Sequence, residues 1–183
     1  MTAARDGVAL RDVVQGDAAA IAAIYGEHVL QGTASFELTP PGEEEMRRRM
    51  SAIVEDGYPW IVACDALGVA GFAYAGPYRP RPAYRYTVED SVYLAPRVQR
   101  QGVGSALLRA LIDRCTARGH RQMVAVIGDS ANAASIALHA RAGFVDAGRF
   151  SNVGWKFERW LDVVLMQRAL GDGAASTAGA LLS

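Results

Sequence analysis

Gln99-Arg100-Gln101-Gly102-Val103-Gly104-Ser105 is the stretch on which the fold turns. It lies between an alternating apolar segment, residues 88–94, and a long amphipathic run, residues 103–118, an order that reads as strand, short basic loop and helix start. Two glycines at such a junction let the backbone approach a ligand without Cβ interference and allow positive φ. The first N–H groups of the helix have no intrahelical acceptor, and its dipole favours negative charge there. Together these features make an anion site, most naturally for a phosphate or pyrophosphate. A P-loop would need Gly-Lys-Ser/Thr, which the chain lacks, and a dinucleotide fingerprint would need Gly or Ala where Leu107 stands. The heptapeptide by itself also fits a plain helix entry with permissive turn residues, so the rest of the chain has to decide.

At 183 residues the chain suits one domain, residues 1–170, large enough for a core without disulfides. Nineteen acidic against nineteen basic residues leave no net charge, which argues against a general nucleic-acid binder. Arg47-Arg48-Arg49 reads as the wet face of a helix rather than an interaction patch. No run of 18 apolar residues and no signal-peptide pattern occurs, so neither a membrane span nor export is expected. Cys64 and Cys115 fall inside apolar patterns and read as buried thiols in a reducing cytoplasm. His28, His120 and His139 are far apart, with no Cys-x-x-Cys or His-x-x-x-His, so no metal is expected.

Residues 8–13 alternate as a first strand, and Asp17 can cap a helix that carries Ile21, Ile24 and Tyr25 on one face and ends at Gly32. Pro40-Pro41 forbid helix, and a second helix is expected over residues 43–54, with Met46, Met50 and Ile53 inward. Residues 61–65 and 69–75 form a hairpin. Residues 76–86, with three prolines, three tyrosines and three arginines, read as a surface loop. After the strand, loop and helix of the opening stretch, Met123-Val124-Ala125-Val126-Ile127 is short, apolar and β-branched, as a strand covered on both faces would be. A helix over residues 133–142 follows, then an antiparallel pair, residues 144–150 and 160–166, around a loop at Gly154. Beyond Leu170 the chain is Gly/Ala/Ser/Thr-rich and is expected to form a mobile tail, residues 171–183.

Two residues stand out for proton chemistry. Strand alternation puts Glu89, Ser91 and Tyr93 on one face and Val88, Asp90, Val92 and Leu94 on the other. Glu89 lies well before the loop, so it points into the middle of the sheet, where burial would raise its pKa toward a base's working range; the alternative is a strand-end carboxylate in water or paired with an Arg. Asn132, Ser135 and His139 are spaced i, i+3 and i+7, which gathers three polar groups on one face of a helix otherwise made of Ala, Ile and Leu. An imidazole there could serve as acid or base near neutral pH, although a lone His is more often merely packed. Arg79, Arg81 and Arg85 on the proline-rich loop match carboxylate, phosphinate or sulfonyl oxygens in geometry, or are simply solvated.

The spacing Gln-x-x-Gly-x-Gly, Gln99 to Gly104, resembles the acetyl-CoA loop of the GNAT (GCN5-related N-acetyltransferase) superfamily, and the resemblance covers roughly residues 8–170. Thr87-Val88-Glu89-Asp90-Ser91-Val92-Tyr93, Tyr78-Arg79-Pro80, Ala83-Tyr84-Arg85, the helix bearing His139 in place of the superfamily's frequent Tyr, and residues 156–162 resemble one branch, the phosphinothricin and methionine sulfoximine acetyltransferases. The resemblance implies an α+β fold, a mixed, mostly antiparallel central sheet with helices on both faces and a splayed centre. It implies acetyl-CoA as cosubstrate, its pyrophosphate held by the backbone of Gln99, Arg100, Gln101, Gly102, Val103, Gly104 and Ser105. The pantetheine would then run beside Val92, Tyr93 and Leu94, near Asn132 and Ser135. It further implies Glu89 as base, His139 as the thiolate's acid, and Arg79 and Arg85 on a substrate loop where Arg81 varies; Phe36 and Glu37, on the early loop, could wall the same pocket. The acceptor would be the α-amine of a small amino-acid analogue, and the assembly a homodimer in which residues 156–162 could pack. An acceptor loop rich in Arg disfavours polyamines and aminoglycosides. Another amine acceptor, or a non-catalytic acetyl-CoA sensor, are the competing readings.

Overall fold

The computed structural model describes residues 7–179. Its elements run β1 (Ala9–Asp12), α1 (Ala18–Gln31), α2 (Glu43–Glu55), β2 (Trp60–Asp65), β3 (Gly68–Pro77), β4 (Thr87–Leu94), α3 (Val103–Ala117), β5 (Gln122–Gly128), α4 (Ala133–Arg141), β6 (Val145–Lys156) and β7 (Arg159–Ala169). The seven strands form one sheet in the order β1-β2-β3-β4-β5-β7-β6. Every neighbouring pair is antiparallel except β4–β5, which is parallel and therefore needs the crossover that α3 supplies. The fold is α+β, with helices on both faces.

Each face has its own core, and helical spacing explains which helix serves which. On α1, Ile21, Ile24, Tyr25 and Val29 recur on one side and are buried with Met46 and Met50 of α2 against Trp60, Val62, Phe72 and Tyr93. On α3, Leu107, Leu108, Leu111 and Cys115 are fully buried against Ile61, Ala73, Val88 and Met123 on the opposite face. Burial of a leucine side chain contributes about 1.5–3 kcal/mol, so these residues pin α3 and the loop before it to β4. Three glutamates open α2, where the dipole favours them, and Arg47 and Arg48 pair with them in solvent, the expected wet face.

The β4–β5 ladder is short. It runs from Thr87 opposite Gln122 to Asp90 opposite Ala125 and stops. Beyond it, Ser91 to Leu94 remain paired with β3, and Val126 to Gly128 with β7. The two central strands part after Asp90, which is the splayed centre the resemblance implied.

Two local expectations are corrected. The last hairpin does not turn at Gly154: β6 continues to Lys156, opposite Arg159, and the two-residue turn is Phe157-Glu158, with φ of 51° and 57°. Two left-handed residues are what a tight hairpin requires, but without Asn or Gly the turn carries no sequence signal. Gly154 lies within β6, opposite Leu161, where the Phe36 ring covers it; a Cβ there would come within 2.6 Å of Phe36 Cδ2. Of the two thiols, Cys115 is buried, its pKa pushed up to about 12 by burial, whereas Cys64 is only half-buried. In residues 171–179, Arg121 donates to Ser176 Oγ and Thr177 O, and Tyr86 to Gly179 O. Residues 1–6 and 180–183, the ends of the chain including part of the expected tail, lie outside the described residues.

Candidate active site

The loop before α3 is shaped by two left-handed residues, Arg100 at φ 61° and Gly102 at φ 84°. Backbone that alternates in this way turns successive N–H groups toward one side, making an anion-binding nest. Among the described residues no side chain caps α3, so its first N–H groups stay available next to the nest. The Gln101 side chain points back and donates to Arg97 O at 2.7 Å, which braces the loop. The two glycines differ in role. Gly102 supplies the positive φ in open space, whereas Gly104 is helical and lies where a Cβ would be 3.3 Å from Leu94 Cδ1 and 3.6 Å from Leu138 Cδ2.

The gap between β4 and β5 opens a crevice of about 50 Å³, lined by Ser91, Val92 and Tyr93 on one side and Val126, Ile127 and Gly128 on the other, with Asn132, Ser135 and His139 of α4 across it. Past Asp90 the edge of β4 has lost its β5 partner, leaving backbone polar groups for a peptide-like ligand. The Tyr93 ring is turned to the other face, edge-on to Tyr25 and His28, so Tyr93 meets the crevice through its backbone. His28, whose place in the site carries no local sequence signal, lies 2.9 Å from Leu94 O through Nε2 and ties α1 to the end of this strand. The anion nest, the uncapped helix start and the unpaired strand edge fit the three parts of acetyl-CoA that need holding: phosphates, pantetheine amides and thioester.

Asn132, Ser135 and His139 do share a face. Asn132 caps α4 by accepting from Ser135 N at 3.2 Å. His139 is buried; its Nδ1 donates to Ser135 O at 2.8 Å, and its Nε2 faces Asp90 Oδ2 at 2.9 Å. Burial alone would lower the His139 pKa, but the hydrogen bond and charge of Asp90, with the Ser135 contact, raise it above its usual 6.5. The sequence does not single out Asp90. Alternation places it opposite Glu89, but its partner is 49 residues away.

Glu89 occupies the other face of β4, half-buried. Burial raises its pKa above the usual 4.5; Arg79 works against this and Asp90 adds to it. Glu89 and His139 thus approach the splayed strand from opposite faces.

The candidate substrate residues diverge. Arg79 is exposed, stacked 4.6 Å over Tyr78, and near enough to act on Glu89. Arg85 turns away, over Tyr86 at 4.5 Å with a bond to Pro82 O, and Arg81 is exposed before the Pro82–Tyr84 turn. Phe36 lies across Gly154 and Gly128 at the mouth of the crevice. Glu37 is held by Arg49 at 2.7 Å and Tyr25 at 2.8 Å, and this locks the α1–α2 connection. Arg49, as exposed as Arg47 and also paired with Glu45, reaches from the wet face to this loop. Lys156, buried next to the Phe36 loop, donates to Ser35 O at 2.7 Å, and burial lowers its pKa.

A family model described as the acetyltransferase (GNAT) family matches residues 22–144. The phosphinothricin N-acetyltransferase of Alcaligenes faecalis is 52% identical over 170 residues, covering 93% of this chain and 86% of that one. An L-methionine sulfoximine/L-methionine sulfone acetyltransferase of Pseudomonas paraeruginosa is 44% identical, covering 86% of this chain and 92% of that one. Among solved structures, a GNAT superfamily phosphinothricin acetyltransferase from Sinorhizobium meliloti in complex with AcCoA superposes with a TM-score of 0.92 at 49% identity, covering 95% and 94% of the two chains. The chain belongs to the GNAT acetyltransferase family.

Proposed function

We propose that the protein is an acetyl-CoA-dependent N-acetyltransferase whose acceptor is the α-amine of a small amino-acid analogue of the phosphinothricin or methionine sulfoximine/sulfone kind. The observation that carries this reading is the splayed β4–β5 pair, with an anion nest at its end and a proton-handling group on each face. Acetyl transfer from a thioester to an amine requires a proton to leave the amine, a donor for the developing oxyanion and a proton for the departing thiolate. Glu89, its pKa raised by burial, is placed to take the first proton. Backbone N–H groups along residues 91–94 supply the oxyanion donor, and His139 serves the thiolate. Gln99 to Ser105 hold the pyrophosphate, and Asn132 and Ser135 flank the pantetheine. On the acceptor side, Arg79 beside Glu89 offers a guanidinium for the substrate's acid group. Phe36 walls the pocket, and Arg81 and Arg85 would have to swing inward to contribute. The names of the relatives support the acceptor class.

The protein further pairs with itself in this reading. β6 is one of the sheet's two edge strands, and Phe150, Val153, Trp155, Phe157 and Trp160 leave a large apolar surface on the β6–β7 hairpin. Its two free thiols fit a reducing cytoplasm.

A thiol-release assay with acetyl-CoA and a panel of phosphinothricin, methionine sulfoximine, methionine sulfone, ordinary amino acids and an aminoglycoside tests the proposal. The amino-acid analogues are expected to turn over fastest. Preference for the aminoglycoside would overturn the acceptor class, and CoA binding without thiol release under any condition would favour a sensor.

A further inference from the structure

Asp90 stands on the last rung of the β4–β5 ladder, where the strands part. Its side chain is 1% exposed and that of His139 5%, so their hydrogen bonding is almost entirely with protein groups. The donors and acceptors can be counted. His139 Nδ1 has two partners in Ser135, its carbonyl oxygen at 2.8 Å and its hydroxyl at 3.4 Å; the much shorter contact is with the carbonyl, which only accepts, and it puts a proton on Nδ1. A carboxylate also only accepts, so the 2.9 Å contact with Asp90 Oδ2 requires a second proton between Oδ2 and Nε2. The pair therefore holds one proton more than a neutral imidazole beside a carboxylate would.

Such an arrangement is a poor way to gain stability. A buried ion pair gains little over a well-packed apolar pair of the same volume. Here the pair is also incomplete, because Asp90 Oδ1 is buried with no hydrogen-bond partner among the described residues. An unsatisfied buried acceptor costs about 1–3 kcal/mol. Asp90 lines the same crevice as Ser135 and Asn132. The groups around the pair leave it isolated: β5 presents Ala125, Val126 and Ile127, and Phe144 meets the imidazole edge-on at 5.0 Å. From α3 comes only the thiol of Cys115, which feels the Asp90 charge, and Glu89 lies on the reverse face of β4.

We propose that Asp90 is the positioning residue for His139, fixing the ring's orientation and keeping a second, transferable proton on its Nε2 side at the splayed edge of the crevice. Its catalytic meaning rests on the acetyltransferase reading. When the C–S bond breaks, its electron pair leaves with sulfur, and the proton shared by Nε2 and Oδ2 ends on sulfur. His139 is left neutral with Nδ1–H still on Ser135; once CoA leaves, the open crevice lets a solvent proton recharge the pair, while Glu89 releases to solvent the proton it took from the amine.

Nitrogen-detected NMR of the ligand-free protein, which has only three histidines, tests this directly. In the wild type, His139 should show both nitrogens protonated at pH values above its usual 6.5. In Asp90→Asn the amide can donate to Nε2, so the ring should keep its place but become a neutral Nδ1–H imidazole with a lower titration midpoint. Asp90→Ser, whose hydroxyl can donate in the same way, serves if the amide variant folds poorly. In the enzyme, kcat should fall roughly 10²-fold, the low end of the usual contribution of acid–base catalysis because the ring itself is kept, and its alkaline limb should move to lower pH while KM for acetyl-CoA stays within about twofold. A wild-type His139 midpoint at or below its usual 6.5, or unchanged midpoint and kcat in both variants, would overturn the proposal. Absence of thiol release by the wild type would instead overturn the acetyltransferase reading, with the NMR titration still judging the Asp90–His139 pairing.

Discussion

Exchanging the two glycines of the anion loop one at a time separates conformation from packing. Gly102 is left-handed, at φ 84°, with nothing within 4 Å of where a Cβ would lie, so alanine there meets no steric obstacle and suffers only the backbone penalty. That penalty is about 1–2 kcal/mol for an L-residue in the left-handed region. If the nest must hold this conformation to bind pyrophosphate, CoA affinity in Gly102→Ala should fall by roughly the 5–30-fold that 1–2 kcal/mol represents. Valine, β-branched at positive φ, should lose more. Gly104 has helical backbone, and its added methyl would meet only the ends of the Leu94 and Leu138 side chains at 3.3 and 3.6 Å. Gly104→Ala should therefore bind CoA close to wild type, and its better helix propensity, up to about 1 kcal/mol, should offset the crowding. Titration calorimetry with CoA measures both variants, and thermal melts without ligand show whether the fold is intact. Saturating CoA should raise the wild-type melting point, by about 2.7 kcal/mol of stabilisation at 100 times Kd. Wild-type affinity in Gly102→Ala, in a folded protein, would refute the placement of the pyrophosphate on this loop.

Glu89→Gln should lower kcat by roughly 10²–10⁴-fold with CoA affinity nearly unchanged, and rising pH should partly restore it as more of the acceptor amine becomes neutral. Because the folded protein raises the Glu89 pKa above 4.5, its charge opposes folding; that opposition is absent below about pH 4.5 and complete above the raised value. Glu89→Gln should accordingly melt no lower than wild type at neutral pH, and a wild-type rate would make Glu89 structural. Gly154→Ala should force Phe36 off its seat, costing about 1–3 kcal/mol by overpacking and raising KM for the acceptor more than for acetyl-CoA; equal KM values would detach Phe36 from the acceptor pocket. Trp155 and Trp160 are 55% and 59% exposed, and replacing both by Ser should shift sedimentation from dimer to monomer, a result that a wild-type monomer would make moot by refuting the dimer outright.

What is legible in the sequence is what is local in it. The anion loop is seven consecutive residues, the α4 polar face is a spacing within one helix, and Glu89's opposition to Asp90 follows from strand alternation. What stays hidden are pairings set by the packing of distant elements. Arg49 reads as one of three equivalent surface arginines, yet α2 brings it to Glu37, so it also braces the loop beside the crevice. The Phe157-Glu158 turn is hidden because its left-handed residues are ordinary ones, held there by the ladder on either side. Asp90 is hidden because alternation says only that it turns away from Glu89, and not that α4 brings His139 to meet it. The same alternation divides the chemistry of the site. Two consecutive carboxylates on one strand must face opposite sides of the sheet, so one can remain poised to accept a proton while its neighbour holds another on an imidazole. In the proposed reaction the amine loses its proton on one face of β4 and the thiolate gains one on the other. The parting of β4 from β5 after Asp90 is what lets donor and acceptor meet between them.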